Sequence, residues 1–211
     1  MSRILLTYIK SGLGKGDLLL SHFFAYLSRM RQIIRWGLMR NTQPENNQEH
    51  SLQVAMIAHA LAIMHNKYDG GNVDAQRVMT LAVYHDASEV ITGDLPTPIK
   101  YYNPEIKKAY QQIEKMAGEK LLSMLPEDLH DEYRMLLTGQ GRDGFEWALV
   151  KSADRICAYL KCVEELKAGN HEFEKAKESI LKSIRAIEIP AVHRFMKQFV
   201  PSFCLTLDEL N

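Results

Sequence analysis

Only three cysteines occur in the 211 residues, Cys157, Cys162 and Cys204, and no two of them form a CxxC pair. An odd count without that spacing excludes a disulfide framework and a thiolate zinc site, and free thiols fit a reducing cytoplasm. Net charge is missing as well, since Lys plus Arg equals Asp plus Glu at 26 each. Such a chain has no long-range field to draw it to a nucleic-acid polymer or an anionic membrane, and its cations are scattered rather than set in a stripe. No apolar run approaches the length of a bilayer span. Lys10 and the glycines interrupt the apolar start before any cleavage site, so no signal peptide is expected. Alternating strand patterns and internal repeats are absent too. An anionic substrate must then be held by a local device, either a metal ion or a placed arginine.

The rest of the composition is that of an ordinary globular chain, with 46% hydrophobic and 25% charged residues, enough for one domain with a sizeable core. Residues 1–20 stand apart. Gly12, Gly14 and Gly16 cluster there, and GLGKGD resembles a phosphate loop without the Ser or Thr after Gly-Lys or the required spacing. A floppy extension, or a start assigned too early, is the expectation for this segment.

From Ser21 onward the pattern is helical. Phe23, Phe24, Leu27, Met30 and Ile34 form a stripe that predicts one helix ending near Trp36. Asn46 followed by Glu49 is a capping-box pattern that opens a helix to about Asn66. A third helix is expected from Asp74 to Ile91. Gly93, Pro96 and Pro98 keep Thr92–Pro98 out of a helix. Further helices are expected near 104–123, 145–168 and 171–187, with a short one before Pro201. The fold class is all-α, one domain over residues 21–211.

Ionisable residues extend three of these apolar stripes. His50 lies in line with Val54, Ile57 and Leu61; His85 and Glu89 follow Val78, Leu81 and Ala82; Asp154 sits between Val150 and Cys157. Taken singly, an inward His is more often a hydrogen-bonded core residue, and an inward Asp a cap or the partner of an Arg. Together they are costly to bury unless they pair or coordinate a metal. Two imidazoles and two carboxylates suit a borderline or hard divalent ion with positions left open for water and substrate. His85 and Asp86 are adjacent, so on a helix of 3.6 residues per turn their side chains diverge by roughly 100°. An ion shared by them must lie between those directions. The remaining histidines, His22, His59, His65, His130, His171 and His193, share no spacing that builds a second site.

The segments EHSLQVA at Glu49–Ala55, YHDASEV at Tyr84–Val90, TGDLPTP at Thr92–Pro98 and KSADRICAYLKCVEEL at Lys151–Leu166 carry the order H…HD…D. With Arg35-Trp36, they resemble the bacterial HD-domain 5′-deoxynucleotidases from about Ser21 to the C-terminus, least well around Thr138–Glu146. The resemblance implies an HD-type helical bundle with the metal site between helices. It implies His50, His85, Asp86 and Asp154 as ligands of one divalent cation (Co, Mn, Zn, Cu or similar). It further implies that Glu89 and Asp94 are catalytic and that Arg35 orients the phosphate. Trp36, Asp94, Leu95, Pro96 and Thr97 would line the nucleotide pocket, with His50, Asp86 and Asp154 also against the substrate. That substrate would be a deoxyribonucleoside 5′-monophosphate and the protein a cytoplasmic homodimer, with no nucleic-acid polymer or membrane partner.

Physical chemistry gives each role a reason. A bound divalent ion activates water and offsets phosphoryl charge, and a guanidinium matches phosphate bidentately. Glu89, one turn from His85, could protonate the sugar alkoxide that leaves. On residues alone, Arg35 is equally a helix-end cation, Trp36 a core ring and Asp94 a turn residue. The rival activities are another HD phosphohydrolase, acting on nucleoside triphosphates or on cyclic or signalling nucleotides, and a non-catalytic metal- or nucleotide-binding helical module.

Overall fold

The structure is a computed structural model that describes residues 20–100, 102–139 and 144–210. The expectation for residues 1–20 falls almost wholly outside it, as does GQGRDG from Gln140 to Asp143. Ten α-helices run in order among the described residues: α1 Phe23–Leu27, α2 Asn47–Tyr68, α3 Ala75–Val83, α4 Glu89–Thr92 and α5 Thr97–Lys100, then α6 Pro104–Leu122, α7 His130–Thr138, α8 Phe145–Lys167, α9 Glu174–Arg185 and α10 Pro190–Gln198. Short 3₁₀ turns join several of them, and the sole extended pairing among the described residues is a bridge between Ile34 and Asn46.

The second helix starts as its sequence predicts. The Asn46 side chain accepts from Gln48 N and Glu49 N, and Glu49 reaches back to Asn46 N. From there α2 runs through the centre of the protein, burying Val54, Ala58, Leu61 and Ala62 against Val78 and Ala82 of α3 and Leu149, Ala153, Ile156 and Leu160 of α8. A second cluster gathers Phe23, Ala87, Leu121, Leu122, Leu125 and Leu137. There α6 and α7 approach so closely that a Cβ on Gly118 would lie 2.1 Å from the Leu137 carbonyl oxygen. Glycine, normally unfavourable inside a helix, is required at this crossing.

Four expectations need correction. The stripe from Phe23 to Ile34 is not one helix: α1 spans five residues, a 3₁₀ turn covers Ser28–Gln32, and the chain then extends. Phe24 and Ile34 are 60% and 49% exposed, so neither belongs to the core. Tertiary pairing overrides the periodicity here, because Arg35 N donates to Glu45 O at 2.9 Å and Asn47 N to Ile33 O at 3.0 Å. The helix from Asp74 stops at Val83, and residues 84–88 wind through three-residue turns before α4. Thr92–Pro98 is not wholly irregular, since Thr92 ends α4 and Thr97 opens α5, whose first turn accepts Pro98 because it has no hydrogen bond to lose. Finally, α7 and its amphipathic face have no counterpart in the sequence expectations.

One buried ion pair ties the site region to this frame. Glu165 of α8, 1% exposed, pairs with Lys161 and accepts from Thr42 N, Thr42 Oγ1 at 2.8 Å, Gln43 N and Asn170 Nδ2 at 2.8 Å. Lys161 also donates to the Gln43 carbonyl. The segment leading into α2 is thereby held to α8.

Candidate metal centre

The expected site residues come together at the N-terminal end of α2. His50, Asp86 and His85 can each present one ligand atom within 4.8 Å of the others. His50 Nε2 stands 3.1 Å from Asp154 Oδ1 on α8 and 3.8 Å from Asp86 Oδ2, and the two imidazole rings are 5.3 Å apart. Asp154 thus borders the three-residue group through His50, while its other oxygen is taken by Lys151.

His85 and Asp86 reach one point because the backbone is not helical there. His85 Nε2 lies 3.1 Å from Asp86 Oδ2, although neighbours on a regular helix diverge. The turn at residues 84–88 removes the angular obstacle. Its geometry also sets the tautomer: His85 Nδ1 is 2.7 Å from the Ala82 carbonyl and so carries the hydrogen, which leaves an Nε2 lone pair facing the carboxylate. Two lone pairs at that separation repel unless a cation lies with them. His85 Nε2 is buried with no hydrogen-bond partner among the described residues, as is His50 Nδ1. Oriented imidazoles with a backbone carbonyl behind one of them are what a divalent ion requires. The donor set therefore fits such an ion.

Electrostatics supports the same geometry. Burial works against charge on Asp86 and Asp154, but the Arg35 guanidinium 3.3 Å from the former and the Lys151 ammonium paired with the latter favour the charged carboxylates. Burial pushes Glu89 up to about 9, assisted by the negative charges of Asp86 and Asp94. Glu89 is therefore a carboxylic acid at neutral pH. Asp94 is raised also, first by burial, with Arg35 opposing the charge of Asp86.

Arg35 and Trp36 arrive through the bridge that replaced the expected helix. Arg35 Nη1 is 3.3 Å from Asp86 Oδ2 and Nε is 3.3 Å from Glu45 Oε2. Trp36 sits at φ 57°, the single non-glycine residue in the left-handed region among the described residues. Its indole Nε1 donates to Glu45 Oε2 at 3.2 Å, and its ring tilts against Phe173 at 5.3 Å. Half-buried, it is neither a free surface ring nor a core one. Leu95 and Pro96 follow Asp94 on the irregular link, half-buried, and Thr97 opens α5.

Three residues of this cluster escaped the sequence reading. Glu45 contacts Arg35, Trp36 and, at 3.6 Å, His50 Nδ1, a charge contact longer than a hydrogen bond. Asn47 donates its amide to Glu89 Oε2. Lys151 pairs with Asp154. Asn47 and Lys151 each lie three residues before an expected ligand on the same helix, so the helical period alone could have flagged them. Nothing local flagged Glu45.

Comparison with known proteins decides the family. Residues 22–203 match the family described as 5′-deoxynucleotidase YfbR-like. A 5′-deoxynucleotidase of Yersinia pestis is 56% identical over 192 residues, which is 91% of this chain and 98% of that one. The chain belongs to the YfbR-like 5′-deoxynucleotidase family. A 5′-deoxynucleotidase of Yersinia pseudotuberculosis matches to the same extent. Among solved structures, an HD-domain phosphohydrolase of Listeria innocua superposes with a TM-score of 0.76 at 25% identity, covering 86% of this chain and 88% of that one. A cyanophage S-2L HD phosphohydrolase, bound to dA and one catalytic Zn²⁺ ion, shares the fold with a TM-score of 0.56 at 21% identity, covering 85% and 95% of the two chains.

Proposed function

We propose that this protein is a metal-dependent phosphomonoesterase that releases phosphate from deoxyribonucleoside 5′-monophosphates. One observation carries the reading: the unpartnered His85 Nε2 faces Asp86 and His50, with the Arg35 guanidinium 3.3 Å from that same aspartate. His50, His85 and Asp86 would hold one divalent cation (Co, Mn, Zn, Cu or similar), with Asp154 completing the set. When bound, that ion would supply an activated water and offset charge on the phosphoryl oxygens.

The remaining roles belong to the chain's own groups. Arg35 stays charged although burial opposes it, because Asp86, Asp154, Glu45 and Asp94 surround it, and it would bind and orient the phosphate. Glu89 holds a proton at neutral pH, and with Asn47 engaging Oε2 that proton falls to Oε1, for delivery to the departing 5′-oxygen. Trp36 would pack against the sugar at C2′, with Asp94, Leu95, Pro96 and Thr97 completing the pocket. His50, Asp86 and Asp154 would border the phosphate. The metal and dA held by the cyanophage protein support this assignment.

Residues 21–211 would act as one HD domain, and a homodimer is part of the proposal. The outward stripe of the central helix α2 leaves Leu52, Met56 and Ile63 exposed. Apolar faces of this kind are commonly covered by a second copy. Among the described residues no helix is long and apolar enough to cross a membrane. The free cysteines Cys157, Cys162 and Cys204 support a reducing compartment such as the cytoplasm. Phosphate release from mono-, di-, tri- and cyclic nucleotides, assayed with several divalent metals, tests the reading. Release confined to deoxyribonucleoside monophosphates supports it, whereas release from triphosphates or cyclic nucleotides, or binding without turnover, opposes it.

A further inference from the structure

Glu45 belongs to no motif that led to the site, yet it touches three of its residues, Arg35, Trp36 and His50. Its Oε2 accepts from Arg35 Nε at 3.3 Å and from Trp36 Nε1 at 3.2 Å. Its Oε1 lies 3.6 Å from His50 Nδ1, the imidazole nitrogen pointing away from Asp154 and Asp86. The carboxylate is mostly buried, with 14% of its side chain exposed. Its backbone takes part as well, because the Glu45 carbonyl accepts from Arg35 N at 2.9 Å. Main chain and side chain together clamp the Arg35-Trp36 dipeptide against the start of α2.

That clamp answers a physical question left by Trp36. A non-glycine residue at φ 57° is strained and persists only where its surroundings over-determine it. A carboxylate holding the indole nitrogen, with its neighbour's guanidinium on the same oxygen, is such a surrounding. We infer that Glu45 is a positioning residue that joins sugar discrimination by Trp36 to phosphate orientation by Arg35 and to the His50 imidazole. The inference rests on the deoxynucleotidase reading. It adds that one carboxylate sets specificity and rate together, without touching the substrate.

Glu45→Gln changes the chemistry with little change in shape. The Gln amide brings its own N–H donors against Arg35, Trp36 or His50, all of which are donors on this side, and the charge opposite Arg35 is lost. Substitutions behind metal ligands typically cost about 10- to 100-fold in affinity or activity. In the metal-loaded full chain, kcat/KM is to be measured for dAMP and for AMP in wild type, Glu45→Gln and Glu45→Asp, with metal content and melting temperature alongside. The expected result is a loss of about 10-fold or more on dAMP for Glu45→Gln, a clear fall in the dAMP-to-AMP ratio, and partial recovery of that ratio in Glu45→Asp. A carboxylate that merely supports the fold would lower the melting temperature and leave the ratio alone. An active wild type whose ratio is unchanged in both variants overturns the inference by itself. A wild type that releases phosphate from neither nucleotide overturns the functional reading, and this inference with it.

Discussion

The Asn47 amide, on the first turn of α2, donates to Glu89 Oε2 on α4, so the buried acid is oriented by a residue one turn before His50. On the proposed reading two tasks that sequence places on one stripe are separated: His85 would face the ion, and Glu89 would hold the proton. Glu89→Ala should therefore keep its metal while turnover falls by roughly 10²- to 10⁴-fold, the usual contribution of a general acid. Metal content and single-turnover rates check this, and loss of the metal would make Glu89 a ligand or a support instead. Because burial, with the charges of Asp86 and Asp94, raises its pKa to about 9, the acid is present at neutral pH and lost as pH rises. Wild-type kcat should decline on the alkaline side, and Glu89→Gln should lack that limb.

The second prediction concerns the sugar. Deoxyribose and ribose differ by one hydroxyl, and an apolar ring at C2′ would leave that hydroxyl without a partner at a cost of about 1–3 kcal/mol, or roughly one to two decades of specificity. Trp36→Ala should narrow the dAMP-to-AMP ratio in kcat/KM. An unchanged ratio with a lowered melting temperature would make Trp36 a packing residue.

The third prediction is about stability. Burial alone would raise the Glu165 carboxyl, but Lys161, the Thr42 backbone and side chain, and Asn170 hold it well below its ordinary 4.5. A depressed carboxylate contributes stability that is complete above the unfolded-state value and is lost as pH falls through that value toward the folded one. Unfolding free energy of the wild type should decline below about pH 4.5. Glu165→Ala leaves Lys161 buried and unpaired, which costs about 3–5 kcal/mol, and should flatten part of the acid slope. Denaturant melts of both proteins between roughly pH 3 and 7 check it, since that span covers the onset of the loss. Equal slopes would show that Glu165 does not titrate with folding.

What could be read from sequence follows from which interactions are local. The Asn46–Glu49 cap, the apolar stripe of α2 and the long helix α8 depend on residues three or four apart, and each was legible. So was the convergence of His50, His85 and Asp86, because burying such residues is costly unless they pair or coordinate a metal. The bridge between Ile34 and Asn46 was not legible, since its partners are twelve residues apart and the apolar residues before it mimic a helical stripe. That one misreading hid how Arg35 and Trp36 enter the site and why Glu45 is there. The break after Val83 was hidden too, because no Gly or Pro marks it; the turn is held by three-residue backbone bonds and by His85 on the Ala82 carbonyl.

Phosphate release from dAMP by chelator-treated protein, before and after divalent metal is restored, tests the central claim most directly, with His85→Ala treated in parallel. The account predicts no release from the stripped wild type and recovery on adding metal, with a higher melting temperature because the ion binds only the folded state. It predicts neither recovery nor the full thermal gain in His85→Ala. Full activity of the stripped wild type, or equal metal-dependent recovery in His85→Ala, would contradict it.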